Sequence, residues 1–289
     1  MKRGIVLVSL GSPYYMRMAI NLAFSIKATS IIPIHLITNN HTIPNVDLSC
    51  FDTIETPNEQ QYMRNGKPEY FRIKTCLYDL SPFDETIYLD VDMVALNQKK
   101  FEQLFDELEA TELVMACRGS EDIKTCDEKI SQWANIPEIC KVHNIKEGKW
   151  FQLSSEFIYF KKLPGNKKYF DTAKEFYDNP EVEFMKFGGC MADELAFGVA
   201  SMKLNYYPAY DQYTPIYWVH AERNRPVKVI DPHIIENYYG YSMGHAYNDI
   251  NQKGFYNNMM KYYYNIKGRR DQFFPAQNKK MFVPDREKI

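Results

Sequence analysis

Apolar positions along the chain fall into two kinds of pattern, short saturated runs and helical stripes. Gly4-Ile-Val-Leu-Val-Ser-Leu10 is rich in branched residues, the pattern of a strand buried on both faces. Ser12-Pro13 then offers an N-cap followed by proline at the first helical position. Met16, Ala19, Ile20, Ala23 and Phe24 recur at helical spacing and predict an amphipathic helix to about Lys27. Ile32–Thr38 and Phe51–Glu55 predict the second and third strands. Tyr70, Ile73, Leu77 and Leu80 predict a helix ended by Ser81-Pro82, and Thr86–Asp90 the next strand. This order predicts an α/β domain with a largely parallel sheet. Further on, Phe101–Ala110, Asn166–Tyr177 and Ala192–Leu204 read as helices, and Leu113–Cys117 and Phe151–Lys161 as strands. Gly119–Lys149, weakly periodic and charged, reads as an irregular excursion. Short aromatic segments punctuated by Pro208, Pro215, Pro226 and Pro232 follow, and no internal repeat is found.

Composition narrows the class. With 289 residues, 45% hydrophobic content and a net charge of −2, the chain reads as globular and not disordered. Thirteen glycines and fifteen prolines exclude collagen-like and low-complexity classes. No apolar stretch approaches the roughly 20 residues of a bilayer span. The run after Met1-Lys2-Arg3 is too short for a signal peptide, so a cytoplasmic protein is expected. The six cysteines include no Cys-x-x-Cys pair and read as reduced thiols. Twenty-two tyrosines and eighteen phenylalanines suit clefts that grip rings, although an A+T-rich genome inflates tyrosine as well.

The sharpest chemical signal is Ile87-Tyr-Leu-Asp90-Val-Asp92-Met-Val-Ala-Leu96. Two carboxylates two residues apart lie where an apolar strand ends, so both project to one side. At the C-terminal edge of a parallel sheet they can reach one cation in the ligand crevice. Oxygen ligands favour Mn²⁺ or Mg²⁺, typically shared with substrate phosphates. A bare Asp-x-Asp is also common as a solvated turn.

With the flanking segments added, the chain resembles the GT-A nucleotide-sugar transferases. It is most similar to the retaining family of glycogenin and the bacterial lipopolysaccharide galactosyltransferases. The segments that carry the likeness are the apolar strand with Asp90-x-Asp92-x-x-Leu and the preceding Arg72-Ile-Lys74-Thr-Cys-Leu-Tyr-Asp-Leu80. Ser9-Leu-Gly-Ser-Pro-Tyr14, Leu153-Ser-Ser-Glu-Phe-Ile-Tyr-Phe160 and Gly188-Gly-Cys-Met-Ala-Asp193-Glu194 complete it. The resemblance implies a GT-A-type, Rossmann-like single domain over residues 1–252, with a nucleotide-binding half to about 117 and a sugar and acceptor half from 118. It implies that Ser9, Tyr14, Arg72, Lys74, Asp90, Val91, Ser154, Ser155 and Lys253 contact the donor, with Tyr14 stacking on the base. Asp193 and Glu194 would lie beside the reacting sugar as the catalytic pair. Ser154, Glu156 and Glu194 stand where the family usually has Asn, Gly and Gln.

The family's third metal ligand is a C-terminal histidine. His245 in Gly244-His245-Ala-Tyr-Asn248 takes that role by resemblance, with His220 in Trp218-Val-His220 as the alternative. The implied activity is metal-dependent, retaining transfer of a sugar from a UDP-sugar. Two other classes stay open: a nucleotidyltransferase acting on a sugar phosphate, and a non-catalytic sugar- or nucleic-acid-binding module. The absence of a basic, Gly-rich first loop counts against the former, and the intact Asp90 and Asp92 against the latter. Residues 253–289 hold nine Lys/Arg against three Asp/Glu, interleaved with aromatics. They read as an irregular basic extension suited to an anionic acceptor, whether glycan, lipopolysaccharide or nucleic acid, or as a packed cap.

Overall fold

A computed structural model describes residues 1–40, 47–96, 98–126, 130–131, 133–208, 215–218, 222, 225–244 and 250–276. The fold is mixed α/β and includes a mostly parallel six-stranded sheet, as the strand and helix order predicts. Contacts divide the chain into two compact units. The first comprises Met1–Gly4, Thr56–Tyr88 and Ala110–Tyr213; the second comprises Ile5–Glu55, Leu89–Glu109 and Thr214–Ile289.

In the second unit the opening strand pairs in parallel with Ile34–Thr38, from Ile5 opposite Ile34 to Ser9 opposite Thr38. Thr53–Glu55 adds a third parallel strand. Every residue of Ile34–Thr38 is buried, which explains why it reads as a continuous apolar run. The helix Pro13–Thr29 starts where the sequence places it, with Ser12 Oγ accepting from Tyr14 N at 3.2 Å. A smaller sheet sets Gly240–Ser242 antiparallel to Met93–Ala95 and parallel to Ile216–Tyr217.

The C-terminal segment is more ordered than the irregular extension expected. Ile250–Ile266 is a helix. Phe255, Tyr256, Met259, Met260, Tyr263 and Tyr264 fall on one stripe and are buried, at the spacing that defines a core-facing helix. Their hydroxyls are spent inside the unit: Tyr263 donates to Ala95 O at 2.8 Å and Tyr264 to Asn21 Oδ1 at 2.8 Å. Arg269 pairs with Asp47. Four of the segment's aromatics and Arg269 are therefore core and internal ion pair, because a tyrosine packs its ring apolarly once its hydroxyl has a partner.

The first unit is built on a long antiparallel pair, Leu113–Asp122 against Lys149–Lys161. Between them, the expected irregular excursion contains a short strand pair and the helix Ile136–Val142, capped by Asn135 Oδ1 accepting from Glu138 N at 3.0 Å. After a register shift at Arg118-Gly119 the ladder resumes over Ser120-Glu-Asp122, a polar stretch that apolar periodicity does not register. The segment expected as a helix over Tyr70–Leu80 is a 3₁₀ turn over Tyr70–Cys76 that becomes α-helical at Leu77–Leu80. Arg72 through Cys76 are all buried, and their polar groups point to different partners around the axis.

Asn21 is fully buried and ties the opening helix to the C-terminal helix. Its amide donates to Tyr256 OH (3.1 Å) and Phe274 O (2.8 Å), while its carbonyl accepts from Tyr264. Asn21→Ala is expected to lower stability by about 2–3 kcal/mol, because the buried Tyr264 OH is left without that partner and the bonds to Tyr256 OH and Phe274 O are lost as well. Tyr264→Phe, which removes one of the three bonds, should cost about 1 kcal/mol. Urea-unfolding midpoints of the two variants measure both.

Candidate functional site

The second unit assembles the residues expected around the diphosphate and metal. Its first strand ends at Ser9, which is buried; Ser9 O accepts from Thr38 Oγ1 at 2.7 Å. The chain turns at Gly11, where φ is +80° and a side chain would be strained. Gly11 N donates to Asn39 Oδ1 at 3.0 Å, joining the ends of the first two strands. Tyr14 follows in the helix with 6% of its surface exposed. Burial raises its phenol pKa well above the ordinary value, and the charge of Asp92 raises it further. The Tyr14 ring is packed into the unit, whereas Tyr15, edge-on to it at 5.7 Å, stays half-buried.

The strand Glu85–Leu89 delivers the two aspartates. Val91 is buried while Asp90 and Asp92 are half-buried, so the apolar residue anchors the turn between the two acids; Asp92 Oδ1 is itself shielded from solvent. The next strand, Met93–Ala95, takes Gly240–Ser242 as its neighbour, and Met243 N donates to Asp92 O at 3.1 Å. Gly244 N then bonds Ser242 Oγ at 3.1 Å, with φ at +48°. His245 comes next in the chain and lies outside the described residues, as does His220. The described strand leading toward His220, Ile216–Tyr217, pairs on the opposite edge of Gly240–Tyr241 from Met93–Ala95. Among the described residues no three His, Cys, Asp or Glu side chains gather as a metal site. Two half-buried carboxylates on one turn are a chemical fit for a hard divalent cation that keeps further oxygen ligands from water or phosphate. Lys253 sits half-buried on the helix Ile250–Ile266.

The first unit assembles the residues expected at the sugar. Lys74 is buried, and its Nζ donates to Ser155 Oγ at 3.1 Å and to Ser155 O at 3.5 Å. It lies 3.5 Å from Asp193 Oδ2 and 5.4 Å from the centre of the Tyr88 ring. Asp193 is buried in the first turn of the helix Asp193–Leu204, where the helix dipole favours an anion. Glu194 beside it is half-buried. Burial pushes its carboxyl pKa up, the neighbouring Asp193 pushes it further, and Lys74 and Arg118 oppose both. Ser154 and Ser155 are buried, and Ser154 Oγ has no hydrogen-bond partner among the described residues.

A register shift between Ser154 and Ile158 places Ser155 and Glu156 in a bulge opposite Met115 and Ala116. Bulges of this kind re-aim side chains. Here the bulge turns Ser155 onto Lys74. Arg118, on the partner strand, is a member of the cluster that sequence reasoning missed. Burial lowers its pKa, while the charges of Glu194 and Glu156 raise it. Its one sequence signal is a cation breaking an apolar strand. Arg72 is placed otherwise than expected. Its Nε and Nη2 hold the Asp178 carboxylate at 2.5 and 2.6 Å, and Nη1 donates to Gln60 O at 2.6 Å. Its fork is committed to a clamp inside the first unit.

No protein-family model and no curated protein matches the chain. Solved structures do. A bifunctional glycosyltransferase, WbbM, is similar at 11% identity with a TM-score of 0.54, over 93% of this chain and 51% of that one. The glycosyltransferase GlyE of Streptococcus pneumoniae TIGR4 is similar at 17% identity and a TM-score of 0.44, over 73% of this chain and 46% of that one. Mouse xyloside xylosyltransferase 1 is similar at 8% identity and a TM-score of 0.47, over 84% of this chain and 98% of that one. The chain thus spans about half the length of WbbM and GlyE. In WbbM the likeness establishes a shared fold, and that fold is the GT-A-like α/β architecture expected from the sequence.

Proposed function

We propose that this chain is a metal-dependent glycosyltransferase that uses a nucleotide-sugar donor, with UDP-sugars as the first candidates. One observation carries the reading. On a glycosyltransferase-like fold, Asp90 and Asp92 flank the buried Val91 at a strand end, and the chain preceding His245 is hydrogen-bonded to Asp92. Asp90, Asp92 and His245 are the proposed ligands of Mn²⁺ or Mg²⁺. The bound cation would neutralise negative charge developing on the departing diphosphate. Ser9 and the Gly11–Tyr14 turn would border the nucleotide.

In the first unit, Lys74 is held by Ser155 and Asp193 in one orientation, and its fixed positive charge would attract the anionic part of the donor. Asp193 and Glu194 would accept sugar hydroxyls, and ionised Glu194 would stabilise positive charge at the anomeric carbon. Retention of anomeric configuration follows from the resemblance in sequence. The acceptor would be a glycan or another hydroxyl-bearing molecule.

The test is a panel of nucleotide sugars with Mn²⁺, reading release of the nucleoside diphosphate and the anomeric configuration of the product by NMR. Donor-dependent release is expected, and chelator should abolish it. Asp92→Asn should reduce it about a hundredfold or more with the fold intact by circular dichroism. Full activity of Asp92→Asn in chelator would overturn the metal assignment.

A pH profile tests Glu194 separately. Because its carboxyl titrates above the ordinary range, the ionised form is gained only as pH rises, so turnover should climb through that elevated titration. Glu194→Gln should flatten the climb. An unchanged limb in the variant would remove Glu194 from the mechanism.

A further inference from the structure

The outer face of the C-terminal helix carries apolar and cationic residues together. Phe255, Tyr256, Met259, Met260, Tyr263 and Tyr264 face the core, so Asn258, Lys261, Tyr262, Asn265 and Ile266 face out. Tyr262 and Ile266, one turn apart, are 47% and 52% exposed. The segment Val229-Ile230 lies against the same helix. Asn258 Nδ2 donates to Val229 O at 3.1 Å, and a β-carbon on Gly254 would touch the Val229 side chain. Ile230 is 70% exposed. Ile230, Tyr262 and Phe273 line an open, mainly apolar groove of about 600 Å³, edged by Lys261 and Arg270. Arg270 is directed by Nε donating to Asn265 Oδ1 at 2.9 Å.

Large apolar side chains gathered on one surface, and not scattered singly, mark an interaction site. Here the rim decides the partner. From Lys253 to Ala276 the described chain carries Lys253, Lys261, Lys267, Arg269 and Arg270 against Asp271, and only Arg269 is spent on Asp47. Aliphatic and tyrosine side chains projecting between free cations match a surface that is anionic outside and apolar just beneath. A nucleic acid would call for stacked aromatic platforms, but Ile230 and Ile266 offer no ring.

We propose that this face of the second unit docks on an anionic phospholipid bilayer, with Ile230, Tyr262 and Ile266 inserted among headgroups and Lys261 and Arg270 on lipid phosphates. No helix among the described residues is long and apolar enough to cross a membrane, so the association would be peripheral. The proposal does not depend on the transferase reading.

Co-sedimentation of the full chain with vesicles of phosphatidylcholine and phosphatidylglycerol in equal parts tests it, beside vesicles of phosphatidylcholine alone. Binding to the anionic vesicles is expected and should weaken as salt rises. Two double variants, Ile230→Ser with Ile266→Ser and Lys261→Gln with Arg270→Gln, should each weaken binding about tenfold or more. All four positions are at the surface, so unchanged thermal unfolding confirms that both variants fold. Equal binding to both vesicle types, or to wild type and both variants, overturns the proposal. So does tighter binding to single-stranded RNA than to anionic vesicles, or a homodimer in sedimentation that the apolar double variant dissolves.

Discussion

Lys74 and Asp193 are both taken out of water, and an ammonium and a carboxylate can only be buried if each finds its countercharge and its hydrogen bonds. Much of the first unit follows from that requirement. The tight turn over Tyr70–Cys76 brings Lys74 inward while Arg72, two residues earlier, leaves in another direction to Asp178. The bulge in Lys149–Lys161 supplies the Ser155 hydroxyl and carbonyl that complete the ammonium's donor set. The helix Asp193–Leu204 starts where it does with both acids in its first turn, where its dipole offsets their repulsion. Three irregular features of the local structure have one electrostatic cause.

The same balance explains why Glu194 is the responsive member. Asp193 has Lys74 within ion-pair distance, whereas Glu194 has burial and a neighbouring carboxylate against it, with two cations in opposition. Burial and the adjacent carboxylate raise the Glu194 carboxyl above its ordinary value, which lets it change state where an ordinary glutamate stays ionised. Arg118 takes part on both sides, since Glu156 and Glu194 both act on it. A glutamate at 156, where the resembling family has glycine, is balanced by that arginine.

The second unit rests on a different constraint, that of finding partners for many hydroxyls. Its core is rich in tyrosine, and a buried ring is stabilised further when its OH is bonded. Asn21, with two donors and an acceptor at the centre of the opening helix, serves Tyr256 and Tyr264 together, and Ala95 O serves Tyr263. The helix Pro13–Thr29, the strand Met93–Ala95 and the helix Ile250–Ile266 are joined through these bonds. The turn that carries Asp90 and Asp92 leads directly into that strand.

The regular elements were legible because their signals are local. Branched runs at Ile5–Val8 and Ile34–Ile37, the Ser12-Pro13 cap and the stripe from Met16 to Phe24 each state their own conformation within one turn or one strand. Asp90-x-Asp92 was legible for the same reason, since an apolar run that stops at a pair of acids marks a strand end by itself. What the sequence left undetermined was every assignment that depends on a distant partner. Arg72 and Lys74 sit two residues apart and look alike on paper; only the positions of Asp178 and of Ser155 and Asp193 make one a clamp and the other a member of the site. Arg118 joined that cluster through strand pairing and a bulge that no periodicity encodes. Tyr14 and the C-terminal tyrosines read as ring-gripping or acceptor-binding groups, and tertiary packing turned most of them inward. By itself the sequence determined which stretches fold as strands and helices and where two carboxylates would be offered. The tertiary structure alone decided which charges and rings face one another, because burial and pairing energies arise between residues that only folding brings together.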